Sequence, residues 1–262
     1  MESNYKTVEK IANQGYDLDL GIVLEKSFET YKKVVGIAGI GFIIVSIAMS
    51  VLFIGIFGAF FGLSNFTETM VGFQSGLISS SAQITVILSS AIFAAVFSPI
   101  TAGFLKMSQL ASTNQNFGME NIFHYFKPPH FKDLFIAALL ISVIGNIINF
   151  ALVYFHIIFF GNLVVGLIAF FTFLNIPLII FSNLNAIEAI TMSFKLVIKK
   201  PLIIFALILI GLIFAMLGFV AFCIGLFFTL PFYYVMHFTL YNEIIPATEV
   251  SELEEIGTSE QF

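Results

Sequence analysis

The chain has 262 residues, of which 59% are hydrophobic and 10% charged; its formal net charge is −5 and its mean hydropathy +1.02. Soluble domains carry about 25% charged residues, so this composition excludes a water-soluble globule, and the acidic balance argues against a nucleic-acid partner. Several runs exceed the roughly 20 apolar residues that cross a bilayer, which makes the chain an integral membrane protein in contact with membrane lipids.

Residues 1–17 read as a polar N-terminal segment. The first 33 residues contain no short apolar core and no small-residue cleavage site, so the first apolar run is expected to insert as it stands. A membrane domain over 18–245 follows, with six predicted spans at 34–63, 84–105, 134–154, 164–181, 202–220 and 222–241. The continuous apolar stretch from 202 to 241 is about twice a bilayer thickness, so a turn is expected near Gly218–Gly225. An acidic tail over 246–262, with Glu249, Glu252, Glu254, Glu255 and Glu260, reads as solvated and disordered.

All eleven basic residues are lysines, and they alternate with the spans. Lys6, Lys10, Lys26, Lys32 and Lys33 precede the first; Lys106, Lys127 and Lys132 separate the second and third. Lys195, Lys199 and Lys200 separate the fourth and fifth, and the other connections carry none. The positive-inside rule then predicts both termini in the cytoplasm, leaving 64–83 as the one sizeable outside loop. The absence of arginine and tryptophan beside plentiful Phe, Ile, Lys and Asn suits an AT-rich genome, and so a bacterial inner membrane.

The spans fall into three pairs, and the second of each pair holds a proline: Pro99, Pro177 and Pro231. Membrane helices tolerate proline where neighbours satisfy the freed carbonyl, so three kinks are expected. Amphipathic cytoplasmic helices are expected before each pair, at 18–33, 118–127 and 185–199. The first and third both place Ser-Phe shortly before Lys-Lys (Ser27-Phe28 and Ser193-Phe194), which points to an internal repeat. At 100° per residue, Ile187, Ile190, Phe194, Val197 and Ile198 share one face of the third, opposite Glu188, Thr191, Lys195 and Lys199. Such a helix lies in the interface plane, with Lys195, Lys199 and Lys200 toward anionic head groups, or packs its apolar face on its own bundle.

Chemistry is sparse. The span interiors contain no Asp, Glu or Lys, the usual mark of ion coupling. Asn146, Asn149 and Asn175 are the notable polar groups at depth, either pairing helices or lining a path. His124, His130, His156 and His237 are too scattered in the predicted topology to share a metal, and Cys223 has no internal partner for a disulfide. No catalytic motif, metal site or cofactor-binding loop is expected.

The stretches "GIVLEKSFETYKK", "SPITAGFLKMSQLA", "NIFHYFK", "AIEAITMSFKLVIKKPLIIF" and "TLPFYYVMHFTLYNEII" together resemble a broad group of bacterial six-helix membrane proteins. That group includes the membrane domain attached to some glycerophosphodiester phosphodiesterases and several domains of unknown function. The resemblance runs from about Leu18 to Ile245 and implies an all-α polytopic fold. In the phosphodiesterases the activity belongs to a separate soluble domain; these residues contain none, so that activity is not expected. The expected function is that of a non-enzymatic accessory or scaffold subunit, bound to other integral membrane proteins in a translocation, insertion or secretion assembly. The alternative is a transporter or lipid-handling protein for a hydrophobic solute.

Overall fold

A computed structural model describes residues 2–61, 80–155, 157–220 and 224–246. The expectations for the 64–83 loop up to residue 79, His156, Cys223 and the acidic tail from residue 247 lie outside these residues. The described residues are helical throughout their regular structure. The elements are α1 (Glu2–Gln14), α2 (Leu20–Phe61), α3 (Ser80–Ser112), a 3₁₀ helix (Met119–Phe126), α4 (Phe131–Tyr154) and α5 (Ile158–Phe171). They continue with α6 (Asn175–Ser182), α7 (Ala186–Val197), α8 (Pro201–Leu217) and α9 (Ile224–Ile244). Among the described residues, four segments are long and apolar enough to cross a membrane: Leu20–Gly55, Ile87–Ser112, Phe131–Leu152 and Phe160–Ser182. A fifth arises if α7 and α8, which meet at 103°, are counted as one broken span.

Several expected boundaries change. Residues 18–33 are no separate surface helix: α2 runs unbroken for 42 residues through both the entry segment and the first span. The reason is a single stripe of buried residues, Val23, Ser27, Thr30, Val34, Ala38, Phe42, Val45 and Met49, at helical spacing. Ser27, expected to mark a repeat, returns its hydroxyl to the Val23 carbonyl of its own helix at 2.6 Å. The third entry segment does break, because its two lysines precede Pro201 where the first pair precedes Val34. A residue before proline avoids the α region, and Lys200 sits at φ −134°, ψ 53°. The second entry segment is a 3₁₀ helix. The three copies therefore take three different forms.

The fourth span begins near Phe160, not at 164, and is interrupted at residues 172–174 between α5 and α6. Pro177 consequently does not kink a helix. It occupies the first turn of α6, where the missing N–H has no intrahelical acceptor to lose. Pro99 and Pro231 do lie inside continuous helices.

Residues 1–17 also depart from the expected polar segment. They hold α1, which buries Val8 and Ala12 against the bundle. The buried core has two parts. One centres on α6, α7 and the last turns of α9 and draws in residues of α1, α2, α3, the 3₁₀ helix, α4 and α8; the other joins α2, α3, Ile122 of the 3₁₀ helix and Val235. Phe42 and Phe104 stack at 4.0 Å in the second, beside Tyr234. The lysine-bearing segments converge at one end of the bundle. Lys26 on α2 meets Glu243 on α9, Lys33 on α2 meets Asn114 just after α3, and Lys195 on α7 meets Glu9 on α1.

Candidate functional site

The segment around α7 is held by local chemistry at both ends. Asn183 adopts the left-handed conformation (φ 53°) and ends α6. Asn185 then caps α7: its side chain accepts from the Ile187 and Glu188 N–H groups at 3.1 and 3.0 Å, while Glu188 accepts from the Asn185 N–H at 3.0 Å. This reciprocal capping box satisfies donors that a helix start otherwise leaves open. The carboxylate of Asp133, in the first turn of α4, accepts from the Ala186 N–H at 3.2 Å and ties the start to a neighbouring span. At the far end the chain turns through 103° into α8, where Pro201 takes the first helical position with a pre-set φ.

Between these ends α7 has three sectors. Ala186, Ala189, Met192, Ser193, Leu196 and Val197 are buried in the bundle. Ile187, Phe194 and Ile198 are 68%, 47% and 51% exposed and form a separate apolar flank. Thr191, Lys195 and Lys199 make the polar side. The apolar arc read from the sequence thus straddles two surroundings: Val197, expected beside Phe194 on one face, is wholly buried, and Ile190 sits half-buried at the border. The lysines also meet neighbours not foreseen, in α1 and the residues that follow it, while staying partly or largely exposed. Lys195 pairs with Glu9 at 3.2 Å, Lys200 approaches Asp17 at 3.9 Å, and Lys199 donates to the Asn13 carbonyl at 3.4 Å. Tyr16 completes the dock, its hydroxyl donating to the Leu196 carbonyl at 2.8 Å; burial pushes this phenol's pKa upward.

The interruption between α5 and α6 is sewn to this helix. Ser193 donates to the Phe171 carbonyl at 2.8 Å and accepts from the Leu174 N–H at 3.0 Å. Proline at 177 leaves the Phe173 carbonyl without its usual donor four residues on, and His237 of α9 packs against this residue. The His237 ring stacks on Phe173 at 3.9 Å; its Nε2 has no partner among the described residues. Pro99 is compensated by a side chain. The carbonyl it frees, Ala95, accepts from Ser98 at 3.1 Å, and the same hydroxyl lies 3.0 Å from the Leu134 carbonyl of α4.

The asparagines at depth do not converge. Asn146 donates to Ser142 in its own helix at 2.7 Å and to Ser90 of α3 at 3.3 Å; Asn149 donates to Asn162 of α5 at 3.5 Å. Asn175 is buried at the start of α6. Among the described residues no group of three His, Cys, Asp or Glu side chains has the placement of a metal site.

Among the described residues, two open spaces bear on function. One is a polar vestibule of about 420 Å³ at the lysine-bearing end, between α2, α3 and α9, where Lys26, Lys33, Glu29, Glu243, Gln109 and Asn242 meet. Its charges of both signs balance. The other is an apolar cleft of about 570 Å³ between α5 and α8, floored by Phe173 and Tyr233. Hydropathy gave no signal of either, since both arise from residues far apart in the chain. No family model, curated protein or solved structure matches this chain.

Proposed function

We propose that this chain is a non-enzymatic multi-pass protein of a bacterial inner membrane, acting through contacts as an accessory or scaffold subunit of a larger assembly such as a translocation, insertion or secretion machinery. The observation that carries the reading is the division of α7 into a buried side, a lysine side tied to α1, and an exposed flank of Ile187, Phe194 and Ile198. The flank offers apolar surface at the level of the lysines, where a partner subunit enters beside the bilayer surface. Polar groups at depth support the same reading, because Asn146, Asn149 and Ser98 are occupied in bonds within or between helices.

The topology that accompanies this proposal has six spans with both termini cytoplasmic, as in the six-helix proteins that the sequence resembles. At 1.5 Å per residue, α8 and α9 are about 25 and 31 Å long, near the ~30 Å of a hydrocarbon core. The gathering of Lys26, Lys33 and Lys195 at one end suits a single cytoplasmic face. Crosslinking in native membranes followed by gentle-detergent purification tests the function: a reproducible set of integral membrane partners is expected, reduced by Phe194→Glu. A chain that purifies alone under several crosslinking chemistries would exclude it.

The cleft between α5 and α8 favours a second reading, the handling of a lipid or hydrophobic solute.

A further inference from the structure

The helices α5 and α8 do not pack against each other along their length; the rings of Phe170 and Phe205 bridge them at 6.1 Å. The gap between them is the 570 Å³ cleft, inside the roughly 300–1,000 Å³ range of small-molecule sites. Its walls are almost wholly apolar, with Leu163, Gly166 and Leu167 on one side and Leu202, Phe205 and Ile208 on the other. A Cβ built on Gly166 meets nothing within 4 Å, so the wall there is open space. Phe205 and Leu202 are largely exposed, so the cleft opens sideways, toward whatever surrounds the bundle.

Its length and its rim identify the occupant. From Asn162 to Phe170 the wall rises about 12 Å along α5 at 1.5 Å per residue, approaching half of the ~30 Å hydrocarbon thickness. That is nearly the depth of one leaflet. At the end where the lysines gather, Pro201 and Leu202 line the cleft, and the two residues immediately before them are Lys200 and Lys199. The acidic groups near these lysines are few. Asp17 reaches only to 3.9 Å of Lys200, Lys199 meets a neutral carbonyl, and Glu9 is engaged by Lys195. An apolar slot of nearly leaflet depth, lined at one end by Pro201 and Leu202 with two lysines directly before them in the chain, matches an acyl chain followed by a phosphate.

We infer that the α5–α8 cleft binds an anionic phospholipid of the lysine-side leaflet, one acyl chain lying along Phe170, Phe173 and Phe205 and the phosphate held by Lys199 and Lys200. The lipid fills space that the bundle leaves between two spans, and its head group lies at the corner where α7 turns into α8. This binding is independent of the scaffold reading, since a lipid site and a protein partner are detected separately.

The chain has no tryptophan, so Phe205→Trp introduces a single reporter into the cleft. The full chain carrying it is reconstituted into phosphatidylcholine vesicles containing equal mole fractions of either chain-brominated phosphatidylglycerol or chain-brominated phosphatidylcholine. Selective quenching by the brominated phosphatidylglycerol is expected, and Lys199→Gln and Lys200→Gln are each expected to weaken the preference about fivefold. Gly166→Leu is expected to reduce quenching by both lipids by filling the slot. Leu167→Trp supplies a second reporter if Phe205→Trp fails to fold, and Ile47→Trp, on the exposed side of α2, reports ordinary boundary lipid. Equal quenching by the two lipids at the cleft, or a preference no greater than at position 47, would overturn the inference. So would a preference unchanged in the lysine variants.

Discussion

Ser193 donates its hydroxyl to the carbonyl of Phe171 at 2.8 Å, across the seam between α7 and the interrupted fourth span. The same oxygen receives the Leu174 N–H at 3.0 Å. One side chain on α7 thus bonds to both sides of the break that the turn at 172–174 leaves between α5 and α6.

Ser193→Ala removes this bridge without changing volume greatly. It leaves a buried carbonyl and a buried N–H unpaired, and each orphaned group costs about 1–3 kcal/mol. A clear fall in the midpoint of thermal unfolding in detergent is expected. Ser27→Ala is the matched control, because Ser27 bonds only within α2 and its loss is expected to cost less than about 1 kcal/mol.

Two neighbouring apolar residues of α7 separate by surroundings. Val197 is fully buried and Phe194 is about half exposed, with its ring 4.9 Å from that of Phe171. Val197→Glu buries a charge with no partner and is expected to destabilise the fold on the order of 4 kcal/mol, seen as low abundance and a lowered melting midpoint. Phe194→Glu is expected to leave the melting midpoint within about 1 kcal/mol equivalent while weakening partner capture. Equal losses of stability would show that the exposed flank belongs to the core.

Gly103 in α3 lies against the backbone of Ile122 in the 3₁₀ helix, where an added Cβ collides with main-chain atoms. Backbone yields less readily than a side chain. Gly103→Ala is therefore expected to push the 3₁₀ helix off α3, at a cost of about 1–3 kcal/mol, measurable as faster amide exchange at residues 119–126. Gly36 meets nothing within 4 Å, and Gly36→Ala is expected to be neutral or mildly stabilising.

His130, beside Tyr125 at the entrance to α4, has its pKa lowered from 6.5, chiefly by burial; Asp133 opposes the shift and His124 adds to it. The folded state therefore binds a proton less readily than the unfolded chain. Stability is expected to be complete above about pH 6.5, to fall as pH drops from there toward the folded-state pKa, and to level off below it. Unfolding midpoints of the wild type and His130→Gln between pH 8 and 5 check this, with the variant showing the smaller decline over the range in which histidine titrates.

The sequence by itself determined that the chain is a helical membrane protein, because long apolar runs have no other stable form in a bilayer. It also separated a helix over 185–199 from a span starting at 202, and the structure breaks there, at Lys200–Pro201. It did not determine which part of an apolar face meets protein. Lipid tails and protein interiors are alike apolar, so periodicity grouped Val197 with Phe194 although only the first is buried. Nor did the Ser-Phe repeat foretell that Ser27 closes on its own helix while Ser193 sews a break in another. Those outcomes, the docking of α1 beside α7, and the cleft between α5 and α8 were decided by tertiary structure. Each depends on which segments distant in sequence are brought side by side.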